Sequence, residues 1–155
     1  MDYGDSGRKC APEYKANQLR RIGSWAPLHI TSGGKLFLAR MSPDEIRGYT
    51  ERTGLKAGTQ NSIQSLDHLL VTLAHARETG WAYDREEYES NVHCVAAPIF
   101  GAGGRLIATI SLAAHRSNEF TPERIAKLCG IAQSISSAMG AGIGERIKGK
   151  GYGDG

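Results

Sequence analysis

Cys94 is the side chain whose chemistry most needs explaining, because it lies near the start of HCVAAPIF, an apolar stretch typical of a buried strand. A thiol becomes a nucleophile only with a base or a positive charge beside it. His93 precedes it, but adjacent residues of a strand point to opposite faces. The charges nearby, including Asp84 and Glu87, are acidic and disfavour the thiolate. The pattern therefore favours a cysteine that contacts a ligand over one that attacks it.

Histidines and cysteines are too scattered to predict a metal site. His68 and His75 are two helical turns apart, and no CxxC or HxxxH spacing occurs. The glycine-containing stretches SGGK and GAGGR lack the spacing of phosphate-binding loops. We therefore expect neither a metal nor a cofactor.

The stretch TSGGKLFLA is the best candidate for holding an anion. Glycines before a short apolar helix leave backbone N–H groups unpaired at its first turn, and such a nest favours a carboxylate. An ordinary loop-to-helix junction has the same composition. Composition alone favours that simpler interpretation.

Three longer helices are predicted from capping signals and apolar periodicity. The first has Ser42 as its N-cap, Pro43 at its first position and Gly54 at its end. The second carries leucines three and four residues apart and ends at Gly80. The third follows Thr121. Its predicted buried stripe consists of Ile125, Leu128, Ile131, Ala132, Ile135 and Met139.

Three strand candidates, WAYDRE, HCVAAPIF and RLIATISLAA, follow the second helix, and GAGG joins the last two. If Phe100 pairs with Arg105, Cys94 lies opposite Ser111. Alternation then places Cys94, Thr109 and Ser111 on one face of small, mildly polar residues, which suits a pocket floor. We expect the packed helices on the other face, which carries Val95, Ala97, Ile99, Leu106, Ala108, Ile110 and Leu112. A loop longer by one residue would reverse the faces.

The chain as a whole has the composition of one soluble domain. It has 155 residues, 40% of them hydrophobic, and a net charge of +3 that is too small to argue for nucleic acid. No apolar run suggests a membrane span or a secretion signal. With three cysteines and no signal peptide, a reducing cytoplasm is the expected compartment.

Three segments in order, APLHITSGGKLFLA, ETGWAYDREEYESNVHCVAAPIF and GRLIATISLAAHRSNEFTPERI, resemble the effector-binding domain of the IclR family of bacterial transcription regulators. The resemblance implies a GAF-like α/β (α+β) fold in which an antiparallel sheet is flanked by helices. It covers residues 21–140. Residues 1–20 are expected to be a poorly patterned segment and residues 141–155 a glycine-rich flexible tail.

The same resemblance implies a ligand pocket. The ligand-binding positions carried over are Ser32, Gly33, Gly34, Asp84, Cys94 and Ser111. The pocket-wall positions are Leu36, Met41, Val92 and Ala113. The family pattern S-x-S-G departs here, because Ala113 replaces the second serine. The missing hydroxyl implies a less polar ligand or a different anchor.

We expect a sensor of a small organic or aromatic acid, most simply a carboxylate, and not an enzyme. The resemblance implies that the sensor controls DNA indirectly, through a winged helix-turn-helix domain that does not precede it in this chain, and that it forms a homodimer or homotetramer. Two alternatives remain: a GAF-like thiol-dependent reductase of oxidised methionine using Cys94, and a domain whose task is oligomerisation alone.

Overall fold

The structure is a computed structural model that describes residues 25–142, so the predicted segment 1–20 and all but two residues of the predicted tail lie outside it. The elements are α1 (Ser32–Leu38), α2 (Pro43–Thr53), α3 (Leu66–Thr79), β1 (Ala82–Arg85), β2 (His93–Phe100), β3 (Leu106–Ala114) and α4 (Pro122–Ala138). Short 3₁₀ turns lie at Leu28–Ile30, Ala102–Gly104 and Ser117–Glu119. None of the helices in residues 25–142 is both long enough and apolar enough to cross a membrane.

The helix ends follow the predicted capping chemistry. Ser42 and Glu45 form a capping box at α2, and Gly54 closes that helix with φ of 60°. The α3 helix ends at Gly80, whose φ is 81°, and the Thr121 side chain caps α4. A left-handed residue at a helix end favours glycine because glycine has no Cβ to clash. These local predictions are confirmed.

The sheet is antiparallel, with strand order β1-β2-β3, and helices pack on both of its faces. The predicted apolar face, with Val95 and Ile99, packs against Leu128 of α4. The opposite face also enters a core, in which Ala96 and Phe100 pack with residues of α1, α2 and α3. The expectation that helices cover one face alone is therefore wrong. The room above the small-residue face is limited to one end of it.

The β2–β3 register differs from the predicted one by two residues. Cys94 lies opposite Ala113, and Ser111 lies opposite Ala96. The first pair is Phe100 with Leu106, so the connection between the strands is one residue longer than predicted. A bulge between Ile99 and Phe100 shifts the register by one further residue. Because the two shifts add to an even number, every residue beyond the bulge keeps its predicted face.

Leu106, on the near side of that bulge, lies on the opposite face from the one predicted. It packs with Phe100 in the core formed by α1, α2 and α3. The predicted stripe of α4 is also too wide, because Ile131 is 43% and Met139 54% exposed. Ser136 is buried instead, and its hydroxyl accepts the Phe100 amide at 2.9 Å. A helix on a three-stranded sheet buries a narrow stripe, which excludes residues turned away from it.

Candidate functional site

A cleft of about 330 Å³ opens where the start of α1 meets the small-residue face of the sheet. Its lining comprises Ala26, Leu28, Thr31, Ser32, Gly33, Gly34, Phe37, Asp84, Tyr88, Cys94, Thr109 and Ser111. The volume fits a small metabolite, and the mixture of hydroxyl, thiol, carboxyl and aromatic groups suits polar recognition on an apolar base.

All six residues predicted to bind a ligand line this one cleft. Ser32, Gly33 and Gly34 come from the first turn of α1, whereas the other three come one each from β1, β2 and β3. In the sheet, Cys94 lies directly between Asp84 and Ala113, and Ser111 is two residue pairs further along, on the same face. Residues up to 79 positions apart are therefore neighbours at one opening.

The two glycines of α1 have a packing role that the sequence did not reveal. A Cβ on Gly33 would lie 2.5 Å from the Thr109 hydroxyl oxygen, so α1 rests directly on β3. A Cβ on Gly34 would lie 2.4 Å from the Leu28 Cα. Glycine is favoured at both positions because the α1 backbone lies too close to β3 and to the Leu28 backbone to leave room for a Cβ. This contact fixes the helix at the edge of the cleft.

The first turn of α1 also has backbone N–H groups without a side-chain cap. Thr31 is the N-cap residue, but its side chain makes no capping hydrogen bond. Its hydroxyl instead donates to the Pro27 carbonyl at 3.0 Å. N–H groups at a helix start lack an intrahelical acceptor, so they are suited to a ligand oxygen.

None of the four predicted wall residues lines the cleft. Leu36 is fully buried in the core formed by α1, α2 and α3, and Met41 packs against that core. Val92 lies in the loop before β2, and Ala113 pairs with Cys94 on an exposed part of β3. Leu36 is missing from the lining because its side chain packs into that core.

The remaining lining residues were not among the predicted sites. Phe37 follows Gly33 by four positions, so helical periodicity already places it on the same side of α1. Thr109 alternates with Ser111 along β3, and the sequence placed it on the correct face. Tyr88 comes from the loop after β1, and no periodic signal marks it.

A buried ion pair fixes the wall of the cleft that carries Asp84. Lys35 Nζ lies 2.5 Å from Glu87 Oε1 and donates to the Tyr83 carbonyl at 2.6 Å. The Lys35 side chain is 1% exposed and that of Glu87 is 9% exposed. The Glu87 amide in turn donates to Asp84 Oδ1 at 2.8 Å. Lys35 thus connects α1 to the segment that positions Asp84.

Asp84 is a buried titratable group of the cleft, and its acidity is altered. Burial raises the pKa of Asp84 to about 6, because the charged form loses its hydration. The Glu87 amide opposes the rise, the Glu87 charge adds to it, and the Lys35 charge opposes it. The cleft therefore holds a carboxyl group whose protonation state changes around pH 6.

His29 anchors the segment that leads into α1. It is buried, with Nδ1 lying 2.8 Å from the Tyr49 hydroxyl and Nε2 lying 3.2 Å from the Lys56 carbonyl. Burial lowers the pKa of His29, so its neutral form is favoured. The residue has a structural role, connecting the start of α1 to α2.

Cys94 lacks a catalytic base from its neighbour. His93 Nε2 lies 3.1 Å from Glu86 Oε1, and the strand turns His93 to the face opposite Cys94. Cys129 packs with the core on the far side of the sheet, where burial raises the pKa of its thiol. Among residues 25–142, no cluster of three or more histidine, cysteine or acidic side chains is arranged to hold a metal.

A second cleft, of about 340 Å³, lies between the end of α3 and α4. Arg77, Pro98, Cys129 and Ser136 are among its lining residues. Its lining includes none of the predicted ligand-binding residues.

The curated relatives of the chain are regulators of transcription. The chain is 35% identical over 130 residues to the HTH-type transcriptional regulator KdgR of Escherichia coli K12, covering 82% of this chain and 49% of KdgR. It is 36% identical over 124 residues to the DNA-binding transcriptional repressor YiaJ of the same strain, covering 77% and 44%. The chain spans about half the length of these relatives.

Solved structures show the same architecture. The C-terminal domain of E. coli KdgR superposes with a TM-score of 0.66 at 35% identity, covering 74% of this chain and 72% of that one. A double mutant of the PobR inducer-binding domain from Acinetobacter, in complex with 3-hydroxybenzoic acid, superposes with a TM-score of 0.63 at 27% identity, covering 72% and 66%. The model of the bacterial transcriptional regulator IclR C-terminal domain matches residues 8–140. The chain therefore belongs to the IclR family of bacterial transcriptional regulators, in the part that corresponds to the family's C-terminal domain.

Proposed function

We propose that this domain senses a small organic or aromatic acid in the cleft beside α1. One observation carries the proposal: Ser32, Gly33, Gly34, Asp84, Cys94 and Ser111, from four separate elements, line the same cleft. A site assembled from distant segments can alter their relative positions when it is filled. That property is what a sensor requires.

In this proposal, different groups of the cleft contact different parts of the ligand. The carboxylate accepts hydrogen bonds from N–H groups at the first turn of α1 and from the Ser32 hydroxyl. Asp84, Cys94 and Ser111 contact the opposite, polar end. Phe37 and Tyr88 supply apolar surface. The complex of the PobR domain with a hydroxybenzoic acid supports an acid of this class.

Occupancy of the cleft controls transcription by changing how an attached or partner helix-turn-helix domain engages its operator. The basis is family membership, since the relatives are named as regulators and repressors. The ligand connects α1 to all three strands, and this connection is the means by which binding is transmitted. We infer a cytoplasmic homodimer or homotetramer.

A sensor is favoured over a thiol-dependent reductase. A reductase using Cys94 needs a second thiol to resolve its intermediate. Within the described part of the chain the other thiol is Cys129, which packs on the opposite side of the sheet. The relatives named above are a transcriptional regulator and a transcriptional repressor, which agrees with a sensor.

Thermal unfolding against pyruvate, 2-oxobutyrate, benzoate and 3-hydroxybenzoate tests the proposal, with benzamide as a neutral control. At least one acid is expected to raise the midpoint, because a ligand that binds the folded state stabilises it. Replacing Ser111 with alanine should weaken the binding of that acid by about 2- to 12-fold, which is the effect of losing one hydrogen bond. The matched variant Ser137→Ala, an exposed serine of the second cleft, should leave affinity unchanged. A folded protein that responds to none of the acids would overturn the proposal.

A further inference from the structure

The loop between α2 and α3, residues 54–65, lies outside the cleft but contacts the turn that forms one of its walls. The Ser62 hydroxyl donates to the Glu87 carbonyl at 2.6 Å, and the Thr59 hydroxyl donates to the Glu86 carbonyl at 2.6 Å. Ser62 and Thr59 are absent from the lining of the cleft. The α2–α3 loop is therefore connected to the cleft through the backbone of the turn after β1.

Ser62 is at the centre of this contact. It is buried, and its side-chain oxygen also accepts hydrogen bonds from the Gly58 and Thr59 amides, both at 2.9 Å. A serine hydroxyl has one donor and two acceptor sites, so these bonds use all of them. Loss of the hydroxyl would leave two amides of the loop and one carbonyl of the turn without this partner.

The turn after β1 needs to be held because its backbone is strained. Glu86 has a φ of 59°, in the left-handed region that disfavours residues with a Cβ. Such a conformation persists where surrounding contacts fix it. The Glu87 and Tyr88 amides that follow donate to Asp84 Oδ1, at 2.8 and 3.4 Å. The turn thus orients Asp84 and carries Tyr88, and both of these residues line the cleft.

The α2–α3 loop also contacts the segment that leads into α1. The Lys56 carbonyl lies 3.2 Å from Nε2 of the buried His29. The residue before this histidine, Leu28, lines the cleft. One loop is therefore connected to both sides of the cleft, so its conformation affects the distance between them.

From these contacts we propose that Ser62 and Thr59 are positioning residues of the effector site. Their hydroxyls fix the turn after β1 so that Asp84 and Tyr88 are in place to contact an acid in the cleft. The effect on binding rests on the proposed function, whereas the coupling between the α2–α3 loop and the turn does not require a ligand. Because linkage is reciprocal, an acid that binds the ordered turn should in return stabilise the loop.

Amide hydrogen exchange of the full chain without a ligand, followed by NMR, measures the coupling. Ser62→Ala should accelerate exchange at the Glu87 and Tyr88 amides by about 5- to 150-fold relative to Val95 in the central strand, because polar groups around a buried hydroxyl are left unpaired. The matched variant Ser136→Ala, at a serine that is also buried and whose hydroxyl also joins a backbone N–H to a carbonyl, should leave that ratio unchanged. Equal acceleration at all three amides of Ser62→Ala, or none, would overturn the proposal.

Two substitutions at the half-buried Thr59 test the hydroxyl without depending on whether Ser62→Ala folds. Thr59→Val removes the hydroxyl and keeps the shape of the side chain, whereas Thr59→Ser keeps the hydroxyl. Calorimetry uses the acid among pyruvate, 2-oxobutyrate, benzoate and 3-hydroxybenzoate that binds the wild type most tightly. Thr59→Val should weaken the binding of that acid by about 2- to 12-fold, the effect of losing one hydrogen bond, and Thr59→Ser should keep most of the wild-type affinity. Equal affinities of the two variants would contradict a positioning role.

The same acid tests the reverse effect in the wild type. Saturating acid should slow exchange at the Gly58 amide, which donates to Ser62 outside the cleft, by about 2- to 12-fold. An unchanged Gly58 amide in a protein that binds the acid would overturn the coupling. If none of the four acids binds, the proposed function fails, while the exchange rates of Ser62→Ala still decide whether the hydroxyls fix the turn.

Discussion

Affinity for an acidic effector should fall as the pH rises through the pKa of Asp84. Asp84 lines the cleft proposed to hold the acid, and burial raises its pKa to about 6. When Asp84 is ionised, two carboxylates share one partly desolvated cleft and repel each other. The protonated form removes that repulsion and can donate a hydrogen bond. Protonation of Asp84 is therefore expected to favour binding.

The size of the effect follows from the protonated fraction. With a pKa of about 6, Asp84 is about 90% protonated at pH 5 and about 1% protonated at pH 8. If the protonated form alone binds, the apparent dissociation constant rises about 90-fold between these values. Binding of both forms would reduce the ratio, so about 90-fold is the upper limit.

The same residue affects stability without a ligand. Its folded-state pKa, about 6, is raised above the ordinary value of 3.8, so folding binds a proton. The resulting stability is complete below about pH 3.8 and is lost as the pH rises through about 6. A shift of this size corresponds to about 3 kcal/mol. Urea unfolding across this pH range measures it.

Isothermal titration calorimetry at pH 5, 6, 7 and 8 provides the assay, using whichever acid gives the largest thermal shift. Asp84→Asn is the matched control, because asparagine keeps an oxygen that accepts the Glu87 and Tyr88 amides but does not titrate. The variant should bind with nearly constant affinity. A wild-type affinity that is flat between pH 5 and 8, or a variant with the same slope as the wild type, would show that protonation of Asp84 does not control binding.

Two further perturbations address the framework of the cleft. Lys35→Met should cost about 3–5 kcal/mol of unfolding free energy, since it leaves the Glu87 carboxylate buried without its partner, and Lys35→Met combined with Glu87→Leu should recover most of the loss. Arg47→Met, which breaks an exposed pair, should change stability by less than about 1 kcal/mol in the same urea titration. Gly34→Ala should destabilise by about 1–3 kcal/mol through overpacking, whereas Gly48→Ala, with open space at the added Cβ, should stabilise by about 0.5–1 kcal/mol. Equal effects of the two alanine substitutions on the melting midpoint would contradict the packing explanation.

The parts of the fold that depend on local signals could be predicted from the sequence. The capping box at Ser42 and the glycine at position 54 identify α2 because both act within one helical turn. The alternation along β2 and β3 also predicted which face holds Cys94 and Ser111. These signals depend on bond geometry and period, so they do not need the rest of the chain.

The parts that depend on distant contacts could not be predicted. The bulge beside Ile99 shifts the register, and no residue type marks it. A lysine is ordinarily exposed, and the burial of Lys35 follows only from its pairing with Glu87, 52 residues away. Leu36, assigned to the pocket wall by resemblance, lies in the core and does not line the cleft, since the packing of α1 decides which of its sides faces the cleft.

Backbone NMR chemical-shift mapping with a binding acid tests most directly whether the cleft beside α1 is the effector site. We expect the largest amide shifts at Ser32, Gly33, Gly34, Asp84 and Cys94, with small changes around the second cleft. The largest shifts around Arg77 and Ser136, with α1 unaffected, would contradict it.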